Sequence, residues 1–262
     1  MKICFSTAGL FPRPTLEALQ LIAEAGYDGA EIMPQCGYET TPRFAFEITR
    51  TKGIPAICSI HFPLIFFPIF YNPYPKAREE SRLLVRDVVA MAERLQSSVI
   101  VIHPLSDLPP EKKALFTAPV QENICFLCEQ AAKSGIRIAI ENSPTSPCRT
   151  PEGMKAYLSS LNCPNVFPML DTTEAMECGI HPTEFLRLLD VIHLHVSDHS
   201  DSRGKHLPPG KGDINWTEFI SLLKKKNFQG CFVVEPEYTY FLKQPEELLR
   251  ETLNFLRNLC IA

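Results

Sequence analysis

The 262-residue chain carries 30 acidic and 26 basic side chains, for a formal net charge of −4. Charged residues make up 21% and hydrophobic ones 45%, the balance of an ordinary soluble globule, which excludes a disordered chain. With no positive excess to release counterions from a phosphate backbone, nucleic acid is disfavoured as a partner.

The amino terminus, Met1 to Ser6, lacks the charged-then-apolar plan of a signal peptide, so a cytoplasmic protein is expected. A strand-like run at Ile3-Cys4-Phe5 precedes a helix over Thr15–Ala25, which Gly26 stops in the left-handed position past its end. Further runs follow at Gly29–Ile32 and Ala56–Ile60. The longest apolar stretch, Phe62 to Phe70, is too short to span a bilayer and holds Pro63 and Pro68. It opens a loop to Tyr74 that reads equally as a lid, an oligomer contact or packing. Pro75 opens a helix over Lys76–Leu95, where its missing N–H costs little.

A run at Val99–Ile102 precedes a helix over Gln121–Ser134 that ends at Gly135. The lone C-x-x-C of that helix, Cys125 and Cys128, has no second pair to complete a zinc knuckle. All ten cysteines read as reduced thiols, with Cys4, Cys58 and Cys231 inside apolar runs as small hydrophobes. Later runs lie at Ile136–Ile140, Val166–Leu170, Val191–Leu194 and Cys231–Val234, with Pro168 arguing against an unbroken strand. Pro245 opens the last helix. The runs are mostly unalternating, as strands buried on both faces are. Eight βα units without a composition break predict an α/β chain folded as a single (β/α)8 TIM barrel spanning residues 1–262.

In such a barrel, side chains at the carboxyl ends of the strands converge on the face where chemistry is done. Those positions hold Glu31, His61, His103, Glu141, Asp171, His195 and Glu235; only the first strand ends without one, in Ser6-Thr7. Period two sends His193 and His195 to one side of their strand, the outer His195 being the better ligand. Glu31 reads as a hydrogen-bonding residue of the barrel rim, and His61 and His103 as pocket-lining or structural. Three carboxylates and one imidazole, Glu141, Asp171, His195 and Glu235, form a site for one divalent cation. Mn²⁺, Co²⁺ or Mg²⁺ suits these donors, and Zn²⁺ is permitted.

The chain resembles the xylose isomerase-like TIM barrels, the sugar phosphate isomerase/epimerase and AP endonuclease-like superfamily, over essentially its whole length. The motifs are Lys2 to Thr7, Ala25 to Glu31, Ile102-His103-Pro104, Ile140-Glu141-Asn142 and Leu170-Asp171-Thr172. The most specific stretch is His193 to Asp198, continued by His206 to Trp216 and followed by Val234-Glu235-Pro236. The resemblance implies that Glu141, Asp171, His195 and Glu235 ligate the metal while Glu141 and Glu235 serve as acid and base on a small carbohydrate. A cation stabilises the charge of an enediolate, which makes that pairing chemically sensible.

Two departures from the family pattern stand out. The run Asp171-Thr172-Thr173-Glu174 lacks the histidine that many members carry three residues after the aspartate, so Glu174 is an added acidic group or an early helix residue. Gly204-Lys205-His206 lacks the aspartate of the endonuclease branch, which disfavours a trinuclear zinc site. Arg203, Lys205 and Lys211 lie where such barrels often bind phosphate, so a sugar phosphate is permitted and a solvated basic loop equally so. His61, His103, Glu174, Arg203, His206 and Lys211 are thus the expected substrate-binding residues. Rival readings are an AP endonuclease-like phosphodiester hydrolase, supported by His61 and His103, and a non-catalytic sugar-binding barrel. A homo-oligomer stays open.

Overall fold

Aliphatic runs that bury both faces set the architecture of the computed structural model, which describes residues 1–261. The strands of the main sheet are β1 (Lys2–Ser6), β2 (Gly29–Ile32), β3 (Ile57–His61), β4 (Val99–Ile102) and β5 (Arg137–Ile140). They continue with β6 (Val166–Pro168), β7 (Leu170–Asp171), β8 (His193–Val196) and, after a hairpin of β9 (Asp198–Ser200) and β10 (Gly204–Leu207), with β11 (Cys231–Val234). All pairings in the main sheet are parallel, in the order β6-β5-β4-β3-β2-β1-β11-β8-β7.

The two ends of that order are halves of one chain run, so the sheet curls into a nearly closed barrel with helices outside. Pro168 is the reason for the split. It has no N–H to give to a ladder, and the pairing changes hands around it. Met169 N–H still reaches back to Ile140 O at 2.9 Å, while Pro168 O accepts from Ile192 N on the β8 side at 3.1 Å.

Expected and observed strands agree closely, with two differences. The run expected at Val191–Leu194 forms β8 from His193 rather than Val191, because its register is set by Cys231↔His193 pairing that local composition does not reveal. The antiparallel β9–β10 hairpin was not expected, since its residues are polar and lack a strand-like period. The helix expected over Gln121–Ser134 runs over Pro110–Ala132, its first turns exposed and polar and therefore without a buried stripe to read. The helices Thr15–Ala25, Pro75–Arg94 and Pro245–Ile261 match, and Gly26 adopts φ +91° past the first of them.

The core has two parts. A large layer lies between the strands and the outer helices, where Phe5 meets Tyr27 and Phe241 edge-on at 5.2 and 5.3 Å. A small one lies inside the barrel, made by Val99, Val101, Ala139 and Met169. Buried polar side chains, Glu31, Ser59, His193 and His195 among them, also stand inside the barrel. All ten cysteines are free, and Cys125 lies with its sulfur 3.4 Å from that of Cys163 rather than paired with Cys128. Among the described residues no helix is long and apolar enough to cross a membrane.

Because Phe5 is fully buried in this aromatic cluster, Phe5→Ala is expected to lower stability by about 3–5 kcal/mol. Urea denaturation followed by circular dichroism measures it, and a loss well under 1 kcal/mol would contradict the packing described.

Candidate metal centre

A carboxylate sealed inside the barrel organises everything above it. Glu31 on β2 is fully buried, so it stands in the barrel interior and not at the rim as the sequence suggested. Its oxygens accept from Ser59 Oγ at 2.6 Å, His193 Nε2 at 2.9 Å and His195 Nε2 at 2.9 Å. Burial alone would raise its pKa, but the imidazoles of His195 and His193 hold it well below the usual carboxylate range. Both histidines do face one side of β8. Since the Nε2 of His195 must donate to Glu31, its Nδ1 is the atom left for the barrel mouth.

That Nδ1 lies 3.3 Å from Glu141 Oε1 and 2.6 Å from Glu235 Oε2. Glu141 follows β5, Asp171 ends β7 and Glu235 follows β11. One ligand atom from each of Glu141, Asp171, His195 and Glu235 lies within 4.8 Å of all the others. Each carboxylate has one oxygen or its backbone fixed by the fold. Ser6 Oγ donates to Glu235 Oε1 at 2.8 Å, and Asp171 Oδ1 caps the helix Thr172–Glu177 by accepting from Glu174 N at 2.8 Å. Asn142 ties the two strand ends together, accepting from Asp171 N at 2.6 Å and donating to Asp171 O at 3.1 Å.

The remaining atoms are orphans. Glu141 Oε2, Asp171 Oδ2 and His195 Nδ1 are buried and have no hydrogen-bond partner of acceptable geometry. Such groups are rare in a folded protein because each costs its desolvation uncompensated. Burial, only partly offset by His206, pushes the Asp171 carboxyl up to about 7. Burial would lower the His195 pKa, but the Glu235, Glu31 and Glu141 carboxylates hold it well above its ordinary value. Three carboxylates around one imidazole, with donor atoms left over, fit a divalent cation, whose charge would replace the protons these shifts retain.

Two further groups border the tetrad. His61 Nδ1 donates to Phe62 O at 2.8 Å, which leaves its Nε2 bare, 3.2 Å from His103 Nε2 and 3.6 Å from Glu141 Oε2. His103 Nε2 stands 2.9 Å from Glu141 Oε2, so His61, His103 and Glu141 form a second cluster able to hold a cation. On the other side, His206 lies between Ser197 Oγ at 3.2 Å and Glu174 Oε1 at 3.1 Å. Its backbone sits at φ +49°, a left-handed conformation that costs a non-glycine residue. Burial would lower its pKa, but the hydrogen bond to Glu174 and the Asp171 charge raise it to about 9.

These residues surround a cavity of about 260 Å³ that His103, Glu141, Asp171, Glu174, His206 and Glu235 line. His61 lies beneath it. Arg203 and Lys211 do not line it. The Arg203 guanidinium donates to Gly212 O at 3.1 Å and pairs with Asp213, and Lys211 Nζ lies 3.7 Å from Glu251. In the apolar segment from Phe62 to Tyr74, Phe62, Phe70 and Tyr71 are buried and Phe67 stacks on Phe62 and Tyr71. Packing accounts for that inner side. Leu64, half-exposed, reaches the cavity.

The sequence reading quoted Ser6, Asn142 and Asp198 but assigned them no part. Asp198 turns out to build the loop that carries His206. Its buried carboxylate accepts from His199 N, Gly210 N, Ile214 N and Trp216 Nε1 at 2.8–3.1 Å. The signal was the glycine pair Gly210 and Gly212. A Cβ on Gly212 would stand 2.2 Å from Asp198 Oδ1, so only glycine fits. Gly212→Ala is expected to cost about 1–3 kcal/mol by overpacking and to open residues 199–216 to limited proteolysis. Unchanged protection would contradict this account of the loop.

The model of one protein family, described as xylose isomerase-like TIM barrel, matches residues 19–259. An uncharacterized protein of Methanocaldococcus jannaschii is 25% identical, over 98% of this chain and 90% of its own. The crystal structure of a D-tagatose 3-epimerase-like protein superposes with a TM-score of 0.78 at 23% identity, covering 98% of this chain and 99% of that one. The IolI protein, crystallised with a bound zinc atom, superposes with a TM-score of 0.76 at 20% identity over 99% and 98% of the two chains.

Proposed function

The chain belongs to the xylose isomerase-like TIM barrel family, and we propose on that premise that it is a divalent-metal-dependent isomerase or epimerase of a small sugar or hydroxy-carbonyl compound. The observation that carries this reading is the convergence of three buried, unpartnered donor atoms on Glu141, Asp171 and His195, with Glu235 beside them. The donor set suits Mn²⁺, Co²⁺ or Mg²⁺, and Zn²⁺ fits as well. The zinc in the IolI structure supports a cation in this fold.

A bound cation would act as a Lewis acid toward negative charge developing on substrate oxygens. The protein's own groups then handle the protons. Glu141 and Glu235 come from strands separated by β7 and β8 around the barrel, so they approach a molecule in the mouth from different directions. Glu235 has one oxygen anchored by Ser6 and the other 2.6 Å from His195 Nδ1. Burial alone would raise the Glu141 carboxyl, but the His103 and His195 imidazoles hold it well below the usual range, ionised as a base must be. A 3-epimerisation takes a proton from one face and returns it on the other, which requires both glutamates. A 1,2-isomerisation is served by one.

The cluster of His61, His103 and Glu141 favours a second reading, a phosphodiester hydrolase with more than one metal. Glu174 against His206 opposes it, because there a carboxylate stands where many members of the family carry an imidazole.

Elemental mass spectrometry on protein supplied with Mn²⁺, Co²⁺ or Zn²⁺ separates the readings. About one metal per chain, lost in Glu141→Ala, is expected; two or three zincs would revive the hydrolase, and none under any condition would leave a binding barrel. Glu141→Gln and Glu235→Gln are each expected to abolish turnover of a ketose substrate, and near-wild-type rate in either would end the two-glutamate scheme. Glu31→Gln leaves metal contacts intact but loosens the His195 ring, so metal affinity should fall about 10–100-fold in a competition titration. Unaltered affinity in a folded variant would show that Glu31 does not position His195.

A further inference from the structure

Carboxylates dominate the walls of the cavity over the tetrad. Five carboxylates line it, those of Glu141, Asp171, Glu174, Glu235 and Glu237. Its only basic groups are two imidazoles, and each already faces a carboxylate, His103 opposite Glu141 at 2.9 Å and His206 opposite Glu174 at 3.1 Å. Among the described residues that line it, none is Lys or Arg. A divalent cation would offset only part of this negative charge. Met33, Leu64, Pro236 and Tyr238 supply the larger apolar groups of the lining.

The place where such a barrel would hold a phosphate is already filled from within. Backbone N–H groups of a glycine-rich turn next to a helix start are the usual anion cradle. Here the N–H groups of Gly210 and Ile214, together with Trp216 Nε1, all point at the Asp198 carboxylate. The Lys211 N–H is bound to Pro208 O, and the start of the helix Trp216–Lys225 is capped by the Asn215 side chain. The three basic side chains of this loop are turned to other partners: Arg203 to Asp213, Lys205 to Glu177 at 3.6 Å and Lys211 to Glu251 at 3.7 Å. An internal carboxylate thus occupies the donors that a phosphate would need, and among the described residues no Lys or Arg lines the cavity to replace them.

We propose that the site takes an uncharged, unphosphorylated polyhydroxy ketone and discriminates against the phosphate esters of the same sugars. The apolar groups of Met33, Leu64, Pro236 and Tyr238 cover the C–H face of such a molecule, while the carboxylates and imidazoles accept from and donate to its hydroxyls. A phosphate dianion brought against this acidic wall meets like charge, which disfavours its binding where water is excluded. Glu174 and Glu237, the carboxylates outside the tetrad, are the specificity-determining groups. This substrate class rests on the sugar isomerase reading above.

The test uses Mn²⁺-loaded protein, with D-tagatose and D-allulose as probes against their 6-phosphate esters. Both turnover and equilibrium binding by calorimetry are measured. The free ketoses are expected to exceed their esters by about a hundredfold in kcat/KM and in affinity. In Glu237→Gln that preference should shrink about tenfold, and an unchanged ratio would remove Glu237 from the discrimination. An ester bound or turned over as well as its parent sugar overturns the proposal. Binding of the free ketose without turnover would sink the epimerase reading while upholding the charge discrimination. Binding of neither class to the metal-loaded protein overturns both.

Discussion

A carboxylate with no access to water cannot stay ionised unless the fold supplies donors for it, and Glu31 imposes that demand on the whole barrel interior. Ser59, His193 and His195 meet it from two other strands. Two of those donors are the imidazoles of β8, so satisfying Glu31 also fixes their tautomer and tilt. The Nδ1 of His195 is then presented to Glu141, Asp171 and Glu235 as a consequence of pairing a charge below it. The centre at the mouth is therefore built from the inside outward.

Above that layer the structure uses single side chains twice. Asp171 spends one oxygen on capping a helix and leaves the other facing the mouth, so the local need of a helix terminus and the chemical need of a donor set are met together. Glu235 is held by Ser6 at one oxygen and meets His195 Nδ1 with the other. Asn142 clamps the ends of β5 and β7 across the break that Pro168 creates, which keeps Glu141 and Asp171 in register where the ladder is weakest. Each donor is oriented by a hydrogen bond that is itself part of the fold's ordinary bookkeeping.

The acidic mouth and the self-filled loop point the same way. Lys211 in its Gly-Lys-Gly turn reads in sequence equally as an anion handle or part of a solvated basic loop, and its neighbours' N–H groups serve Asp198. Gly212 is required by its steric approach to that carboxylate, and Gly210 by its φ of +88° and the Phe255 ring against it, rather than by a ligand. Phe62, Phe67, Phe70 and Tyr71, which read in sequence equally as a lid, an oligomer contact or packing, pack inward in the fold, while Leu64 reaches the cavity.

Much was legible from the chain alone, because burial on both faces of a parallel strand and a charged residue at its carboxyl end are local features. The eight βα runs, the glycine and proline punctuation of the helices and the tetrad of Glu141, Asp171, His195 and Glu235 could be read that way. Period two along β8 likewise put His193 and His195 on one side. Only the tertiary structure decided where Glu31 stands, which nitrogen of His195 faces the mouth, how Pro168 hands the ladder from β5 to β8 and what the glycine-rich loop binds. Those features depend on partners far away in the chain, such as Glu31 with His195 or Ser6 with Glu235. Composition and spacing carry no record of a hydrogen bond between distant strands, because that bond exists only once the barrel has brought them together.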